Sequence, residues 1–402
     1  MLLTQNKDFR YLYLGQLFSV FGDWIKTVSL IGFIYHLTQN ANATGLLFIL
    51  AIVPQIFISF ISGPFIDRFN KRNLIIFLDF IRFLLGLLLV CVMYTENLFL
   101  ILTIILITNI FSAIFIPTRS AFIPQITRKD EIVSANNILL ISFNVTMAVS
   151  TAIGGIILSY IGSYNVLIIA SIMYLISALL VLLIKASKGD DSQDTPKRFN
   201  SSYLKELKEG YKFVRDSTLL KSTFLLNGIR DFVLGAVNIM FNTVILVSFS
   251  MGDTGIAYGY TATALGYIAL GFFSKKLIKQ DMLENNRKLG NFCLIFITLY
   301  GILLGIAFSM DSFWLFLLFI LIMNIPQGLL NISFESSIMH NTKDSHRGRV
   351  FAFLGTFTKL GYVFGLSLFM ILSNFISIVT YSWVMCLMLI AAGFINKKIS
   401  SI

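Results

Sequence analysis

The chain has 402 residues, of which 56% are hydrophobic and 13% are charged, and its formal net charge is +11. Apolar stretches of about 18 residues or more recur along its whole length, which excludes a soluble protein, a single membrane anchor and a cleaved signal peptide. The three cysteines, Cys91, Cys293 and Cys386, stand in apolar stretches without CxxC or Cys/His spacing, which excludes a disulfide framework and a zinc site.

Apolar runs separated by polar turns predict twelve transmembrane helices in two sets of six. The first six spans are predicted at residues 11-37, 44-66, 73-94, 98-118, 133-160 and 164-185. The second six are predicted at residues 219-249, 255-274, 288-309, 312-334, 347-375 and 377-396. The fold class is therefore an all-α membrane protein. Its two six-helix bundles, residues 1-185 and 219-402, are nearly equal in size, which indicates a duplicated unit.

The segment 186-218 between the two halves is the only long polar stretch. It opens with the flexible sequence SKGDDSQDTPKRFNSS and continues from Tyr203 to Arg215, where apolar residues recur at helical spacing among lysines. This pattern is typical of a basic amphipathic helix. Such a helix lies either on the membrane surface or in solvent, as a linker helix.

Lysine and arginine are confined to alternate loops, which fixes the predicted orientation because positively charged loops stay in the cytoplasm. The basic loops and termini contain Lys7, Arg68, Lys71, Arg72, Arg128, Lys129, the basic residues of 186-218, Lys275, Lys276, Lys279, Arg287, Lys288, Lys343, Arg347, Lys397 and Lys398. The opposite loops contain neither residue type. Both termini are therefore predicted to be cytoplasmic, and the net positive charge requires no nucleic-acid partner.

The loop after the second span resembles the signature loop of the major facilitator superfamily, with Gly63, Asp67, Arg68, Lys71 and Arg72 at the family's spacing. Other segments look like the branch that contains macrolide efflux pumps, the enterobactin exporter and the lysophospholipid transporter. These segments are Gly22-Asp23-Trp24, Pro117-Thr118-Arg119 through Pro124, Ser134-Ala135-Asn136-Asn137 and Arg347-Gly348-Arg349-Val350-Phe351. The resemblance implies alternating access, in which two six-helix bundles rock around a central site lined by spans 1, 4, 7 and 10.

Two positions differ from the family's pattern. The second-half copy of the signature loop has Lys275 where an acid is expected. The segment from Ser150 to Gly155 is similar to the antiporter motif of the family but lacks its first glycine and its proline. Close helix packing alone explains the glycine pair Gly154-Gly155.

Charged residues inside membrane spans are costly, so each is expected to face a partner or a water-filled path. The predicted substrate and ion path contains Gln16, Asp23, Lys26, Arg230, Asp231, Asn238, Asn242, Asn324, Gln327, Asn331 and Lys359. Asp23 either carries a transport role or only pairs with Lys26 one turn later. Lys359 either meets an anionic substrate or neutralises a neighbouring acid.

Two further charged pairs lie within predicted spans. Asp79 and Arg82 favour a structural ion pair near the cytoplasmic end of span 3. Arg230 and Asp231 are adjacent, so their side chains diverge by about 100° around the helix and are not expected to point to one site.

A cytoplasmic gate follows from the resemblance, which places the loop after span 2 against the start of span 11. Asp67 is expected to interact there with the helix N-terminus and with Arg347 or Arg349. The complete set of predicted gate and signature residues is Gly63, Asp67, Arg68, Lys71, Arg72, Arg119, Glu335, Arg347 and Arg349.

The sequence favours a secondary transporter of a bacterial inner membrane that exports an amphipathic drug, siderophore or peptide antibiotic and thereby confers antibiotic resistance. The protein is expected to be a monomer without cofactor or metal. Its other partners are membrane lipids and a coupling proton or sodium ion. A lipid transporter similar to the lysophospholipid carrier is the alternative, and a membrane receptor without transport is a third hypothesis. The chain has no GxxxxGK[ST] motif, so neither ATP hydrolysis nor another enzymatic activity is expected.

Overall fold

The computed structural model describes residues 2–128, 131–185, 203–277, 282, 285–342 and 344–400. Throughout these ranges the chain forms helices joined by short turns, with no β-strand. The chain divides into two compact units, Met1–Tyr203 and Leu204–Ile402. The predicted all-helical class is confirmed, and the first part of the predicted linker, 186–202, lies outside the described residues.

Unit 1 begins with the short helix α1 and continues with five long helices. These helices are α1 (Leu2–Gln5), α2 (Lys7–Thr38), α3 (Ala41–Asp67), α4 (Lys71–Met93), α5 (Leu98–Ile126) and α6 (Ile132–Leu182). Asn6, Asn70 and Asn97 precede α2, α4 and α5, and their side-chain oxygens accept backbone N–H groups of the first turns. Asparagine at this position satisfies donors that have no partner within the helix, which explains where these three helices begin.

The long helix α6 contains both predicted spans 5 and 6. Its 51 residues include one non-helical position, Gly162, with φ 74° and ψ 168°. At about 1.5 Å per residue, a helix of this length is about two and a half times as long as a bilayer core is thick. Only glycine adopts this backbone conformation without steric cost, so Gly162 marks the turn between the two predicted spans.

Glycines bring α2 and α6 into close contact in unit 1. A Cβ atom on Gly154 of α6 would lie 2.8 Å from the Ile25 side chain, and one on Gly22 of α2 would lie 2.9 Å from the Ala170 carbonyl oxygen. Such small residues allow two membrane helices to approach closely. Gly154 is therefore explained by helix packing.

Unit 2 contains the amphipathic helix and six long helices. The helices are α7 (Tyr203–Asp216), α8 (Thr218–Thr243), α9 (Gly252–Leu277), α10 (Asn286–Phe308), α11 (Phe313–Asn341), α12 (Asp344–Leu372) and α13 (Ile378–Ser400). A short π-helical segment, Val244–Ser248, continues α8. Ser217 separates α7 from α8, and its hydroxyl accepts the Leu220 N–H.

The apolar face of α7 is covered by unit 2 itself. Val214 is buried with Val350 and Leu354 of α12. Gly210 lies against the Arg349 backbone, where a Cβ atom would not fit, and Arg349 Nη1 lies 2.8 Å from Glu209 Oε2. Neither sequence interpretation, a helix on the membrane surface or a free linker helix, included this packing. The amphipathic pattern shows that a face must be covered but does not identify the element that covers it.

Ten stretches of the described residues are long and apolar enough to cross a membrane. They include α6 as one continuous stretch and omit α9, whose sequence is rich in glycine, threonine and tyrosine. The membrane-spanning character is therefore confirmed. The count of twelve spans, the cytoplasmic location of both termini and the division at 1-185, 186-218 and 219-402 remain predictions.

The charge asymmetry of the loops gives a direct test of this topology. In a cysteine-free background, single cysteines at 38–43, 251–254 and 311 are expected to react with an impermeant maleimide added to intact cells, whereas cysteines at 186–218 are expected to react only after the cells are opened. Labelling of 186–218 in intact cells would contradict the orientation.

Candidate functional site

A buried arginine in the middle of α4 joins three elements of unit 1. The Arg82 side chain is 1% exposed, and its Nη1 donates to Asp79 Oδ1 at 2.8 Å and to Ser19 Oγ at 2.8 Å. Its Nη2 donates to Asp23 Oδ2 at 2.6 Å. One guanidinium group therefore bridges a carboxylate on its own helix and a carboxylate on α2, a forked geometry that arginine provides and lysine does not.

The two carboxylates differ in their exposure. Asp79 is 0% exposed and also accepts the Ser177 hydroxyl of α6 at 2.5 Å. Asp23 retains 35% of its side-chain exposure while accepting the Tyr174 hydroxyl at 2.7 Å. Asp79 is thus enclosed by protein groups, whereas Asp23 is only partly covered by them.

Lys26 completes the cluster and balances its charge. Its Nζ lies 3.4 Å from Asp23 Oδ1 and 5.6 Å from the centre of the Tyr174 ring. The Arg82 guanidinium lies 4.0 Å from the same ring centre. Two acids and two bases give a net charge of zero, which is how charged groups persist among apolar membrane helices.

The sequence identified Asp23 and Lys26 as path residues but treated Asp79 and Arg82 as a separate structural pair near the end of a span. The predicted ion pair between Asp79 and Arg82 is confirmed, but Arg82 lies mid-helix rather than near the end of a span and also binds Asp23. The sequence analysis also omitted Tyr174 and Ser177 from the site. Their spacing on α6, three residues apart in an apolar span, was the available signal.

Gln16, a predicted path residue, binds Arg119, a predicted gate residue. Its Oε1 accepts from Arg119 Nη1 at 2.7 Å, and its Nε2 donates to the Leu139 carbonyl at 2.9 Å.

Arg72, from the signature loop, donates from Nη2 to the Leu182 carbonyl at 2.7 Å. Arg72 therefore satisfies an otherwise free carbonyl at the end of α6.

In unit 2, Arg230 and Asp231 form an ion pair although they are adjacent on α8. Arg230 Nη2 lies 2.7 Å from Asp231 Oδ1, and its Nε lies 3.1 Å from the same atom. The expectation that their side chains diverge was wrong, because the arginine side chain is long enough to fold back. The Arg230 guanidinium also lies 5.4 Å from the Phe334 ring centre of α11.

The predicted polar rows of α8 and α11 are bonded mostly within their own helices. Asn238, Asn242 and Asn324 each donate to the backbone carbonyl four residues earlier. Asn331 Nδ2 lies 3.3 Å from Glu335 Oε1 on the next turn. Gln327 reaches another helix, because its Oε1 accepts the Tyr267 hydroxyl of α9 at 2.9 Å.

The remaining predicted residues fall into three groups. Lys359 of α12 is half-buried and forms no ion pair with any described residue. Among the signature residues, Arg68 is exposed, and Lys71 opens α4. The surroundings of Gly63 and the side chains of Asp67 and Arg347 lie outside the described part of the structure, so the gate remains a prediction. The described residues contain no group of His, Cys, Asp and Glu side chains that could hold a metal ion.

Comparisons with known proteins agree in placing the chain among transporters. A family model described as "Transmembrane secretion effector" matches residues 3–400. Macrolide efflux protein A of Streptococcus pyogenes is 21% identical, over 90% of this chain and 88% of that protein. The putative bacilysin exporter BacE of Bacillus subtilis is 23% identical, over 88% of this chain and 87% of that protein. The staphyloferrin A transporter of Staphylococcus aureus is 25% identical, over 53% of this chain and 56% of that protein.

Solved structures share the fold at low sequence identity. The nucleoside transporter NupG aligns with a TM-score of 0.70 and 12% identity, covering 98% of this chain and 99% of that one. A bacterial homologue of the iron transporter ferroportin aligns with a TM-score of 0.69 and 11% identity, covering 98% of each chain. The family's members are transporters and not enzymes. The chain belongs to the transmembrane secretion effector family of the major facilitator superfamily.

Proposed function

We propose that this protein is a proton-driven exporter of an amphipathic small molecule in the inner membrane of a bacterium, with Asp23 as the carboxylate that binds the coupling proton. The observation that carries the proposal is the cluster around Arg82. It holds two acids in unlike environments, one enclosed and one accessible.

Accessibility distinguishes the roles of the two acids. A coupling ion must reach its carboxylate and leave it again in every cycle, and the partial exposure of Asp23 allows this. Asp79 is enclosed by Arg82, Ser19 and Ser177. Asp79 therefore anchors the guanidinium, and Asp23 exchanges with the medium.

The neighbouring charges favour a proton over sodium. Arg82 Nη2 and Lys26 Nζ lie 2.6 and 3.4 Å from oxygens of the Asp23 carboxylate. A sodium ion bound there would sit close to two like charges, and their repulsion is strong where few water molecules screen it. The two cations also oppose protonation, but a proton bonds covalently to a single carboxylate oxygen, whereas sodium needs several oxygen ligands beside those cations.

Protonation of Asp23 changes the contact between α2 and α4. The neutral acid loses most of its attraction to Arg82, which keeps its bonds to Asp79 and Ser19 on the opposite side. The cluster then carries one net positive charge. A ligand shifts a conformational equilibrium by its difference in affinity between the states, and this change in pairing supplies such a difference for alternating access.

The substrate class rests on the relatives. Their names refer to a macrolide, to bacilysin and to staphyloferrin A, and these names support export of an amphipathic compound. Movement of a lysophospholipid is the alternative that the experiment must separate.

Everted membrane vesicles provide the test. A panel of macrolides, siderophores, peptide antibiotics and a labelled lysophospholipid is offered with and without a protonophore. We expect accumulation of at least one of the first three classes above that of vesicles without the protein, and loss of that accumulation with the protonophore. Lysophospholipid movement alone, or accumulation that the protonophore leaves unchanged, would refute proton-driven export.

A further inference from the structure

Lys359 lies on a side of α12 that is distinct from the side facing lipid. Leu360, Phe364 and Ile371 are large apolar side chains that stay exposed in a membrane helix, the first two at 53% and 65%. They mark the lipid-facing side. At 3.6 residues per turn, Lys359 lies about 100° from Leu360 and about 140° from Phe364 around the helix.

Lys359 is also turned away from α8, the helix against which α12 packs. Glycines mark that contact, since a Cβ atom on Gly361 would lie 3.1 Å from the Gly228 carbonyl oxygen. Gly365 approaches the Phe232 backbone one turn further along. Lys359 lies about 160° from Gly361 around the helix, so it is nearly opposite the contact with α8.

The third side of α12 is lined by small residues and has open space. Ala352, Gly355, Thr356 and Lys359 follow one another there at helical spacing. A Cβ atom on Gly355 would meet no described atom within 4 Å. The Thr356 hydroxyl donates to the Ala352 carbonyl at 3.0 Å. Lys359 thus places an ammonium group on a side of α12 that has room for a ligand beside Gly355.

Among the described residues, no acid forms an ion pair with Lys359. The buried arginines provide the contrast, because Arg82 and Arg230 each bind at least one carboxylate. A cation within a membrane span that has no such partner in the described part of the chain is a candidate for a pathway or a ligand site.

We propose that Lys359 binds an anionic group of the transported molecule, a carboxylate or a group of similar charge, in the space beside Gly355. The inference rests on the proposed export function and adds a substrate class to it. Lysine carries a compact charge with three donors and binds an anion without requiring a fixed fork geometry. The substrate is accordingly an amphipath with at least one acidic group.

A matched pair of fluorescent probes tests this directly. Dansyl-leucine carries a carboxylate, and dansyl-leucinamide carries a neutral amide in the same place. Binding of each probe to the purified full-length protein is measured by dansyl fluorescence, without an ion gradient. We expect the wild type to bind the acid about tenfold more tightly than the amide, which is the order of one charge-assisted hydrogen bond.

Three variants separate binding from structure. Lys359→Gln is expected to remove the preference for the acid, and Lys359→Arg is expected to retain it. Lys221→Gln, a change at an exposed lysine in the first turn of α8, is expected to leave it unchanged. A melting temperature of Lys359→Gln equal to that of the wild type would show that the loss does not come from misfolding.

Two results would overturn the proposal: a wild type without preference for the acid, whether it binds both probes or neither, and a Lys359→Gln variant that keeps the preference. These outcomes are independent of the coupling mechanism, because no gradient is present. Failure of proton-driven export would instead appear in the vesicle assay as transport that is insensitive to the protonophore.

Discussion

Replacing Asp23 with asparagine is expected to abolish gradient-driven transport while leaving the protein folded. The asparagine side chain has the shape of the aspartate, and its carbonyl oxygen can still accept the Tyr174 hydroxyl, which lies 2.7 Å from Oδ1 in the wild type. It cannot bind and release a proton. The variant therefore carries the charge of the protonated state permanently, with Arg82 held by Asp79 alone among the acids.

Accumulation in everted vesicles measures the loss. We expect less than about one hundredth of the wild-type rate, since removal of the coupling group stops the cycle and does not merely slow it. Exchange of labelled for unlabelled substrate without a gradient is expected to continue. Glu96→Gln, at an exposed acid before α5, provides the matched control and should transport normally. If Asp23→Asn transports at the wild-type rate with unchanged pH dependence, Asp23 is only an ion-pair partner.

Replacing Arg82 with leucine is expected to destabilise unit 1 severely. The change leaves Asp79 fully covered without its ionic partner, with only the Ser19 and Ser177 hydroxyls beside it. Removal of one partner from a buried ion pair typically costs about 3 to 5 kcal/mol, because the other charge is left uncompensated. Thermal unfolding of the solubilised protein is expected to begin at a much lower temperature than for the wild type.

The double variant Asp79→Leu/Arg82→Leu identifies the cause of that destabilisation. Replacement of a whole buried ion pair by apolar side chains is often nearly neutral, so the double variant is expected to regain most of the lost stability. Asp23 then keeps only Lys26 and Tyr174, and coupled transport is expected to stay defective. A double variant as unstable as Arg82→Leu would show that the arginine acts through packing rather than charge.

Local features of the fold could be predicted from the sequence because they depend on neighbours along the chain. The apolar spans, the break between residues 160 and 164 and the amphipathic pattern of α7 belong to this class. The element that packs on α7 could not be predicted, because many apolar surfaces can cover an amphipathic helix. The packing of α7 on α12 through Gly210 depends on a contact between residues more than a hundred positions apart.

The candidate site was predicted only in part for a similar reason. Helical spacing pairs Asp23 with Lys26 and Asp79 with Arg82, each within one helix. The bond from Arg82 to Asp23 requires knowledge of which faces of α2 and α4 meet. In unit 2 the asparagines of α8 resembled a ligand-binding row, yet their amides donate to carbonyls of their own helix.

The most direct test of the account measures protons and substrate together. The purified protein is reconstituted into liposomes that contain a pH-sensitive dye, and a substrate identified in the vesicle panel is added. The account predicts proton movement opposite to the substrate in the wild type. In Asp23→Asn it predicts no substrate-dependent proton movement, although substrate exchange persists. Proton movement in Asp23→Asn at the wild-type ratio to substrate would contradict the assignment of Asp23 as the coupling carboxylate.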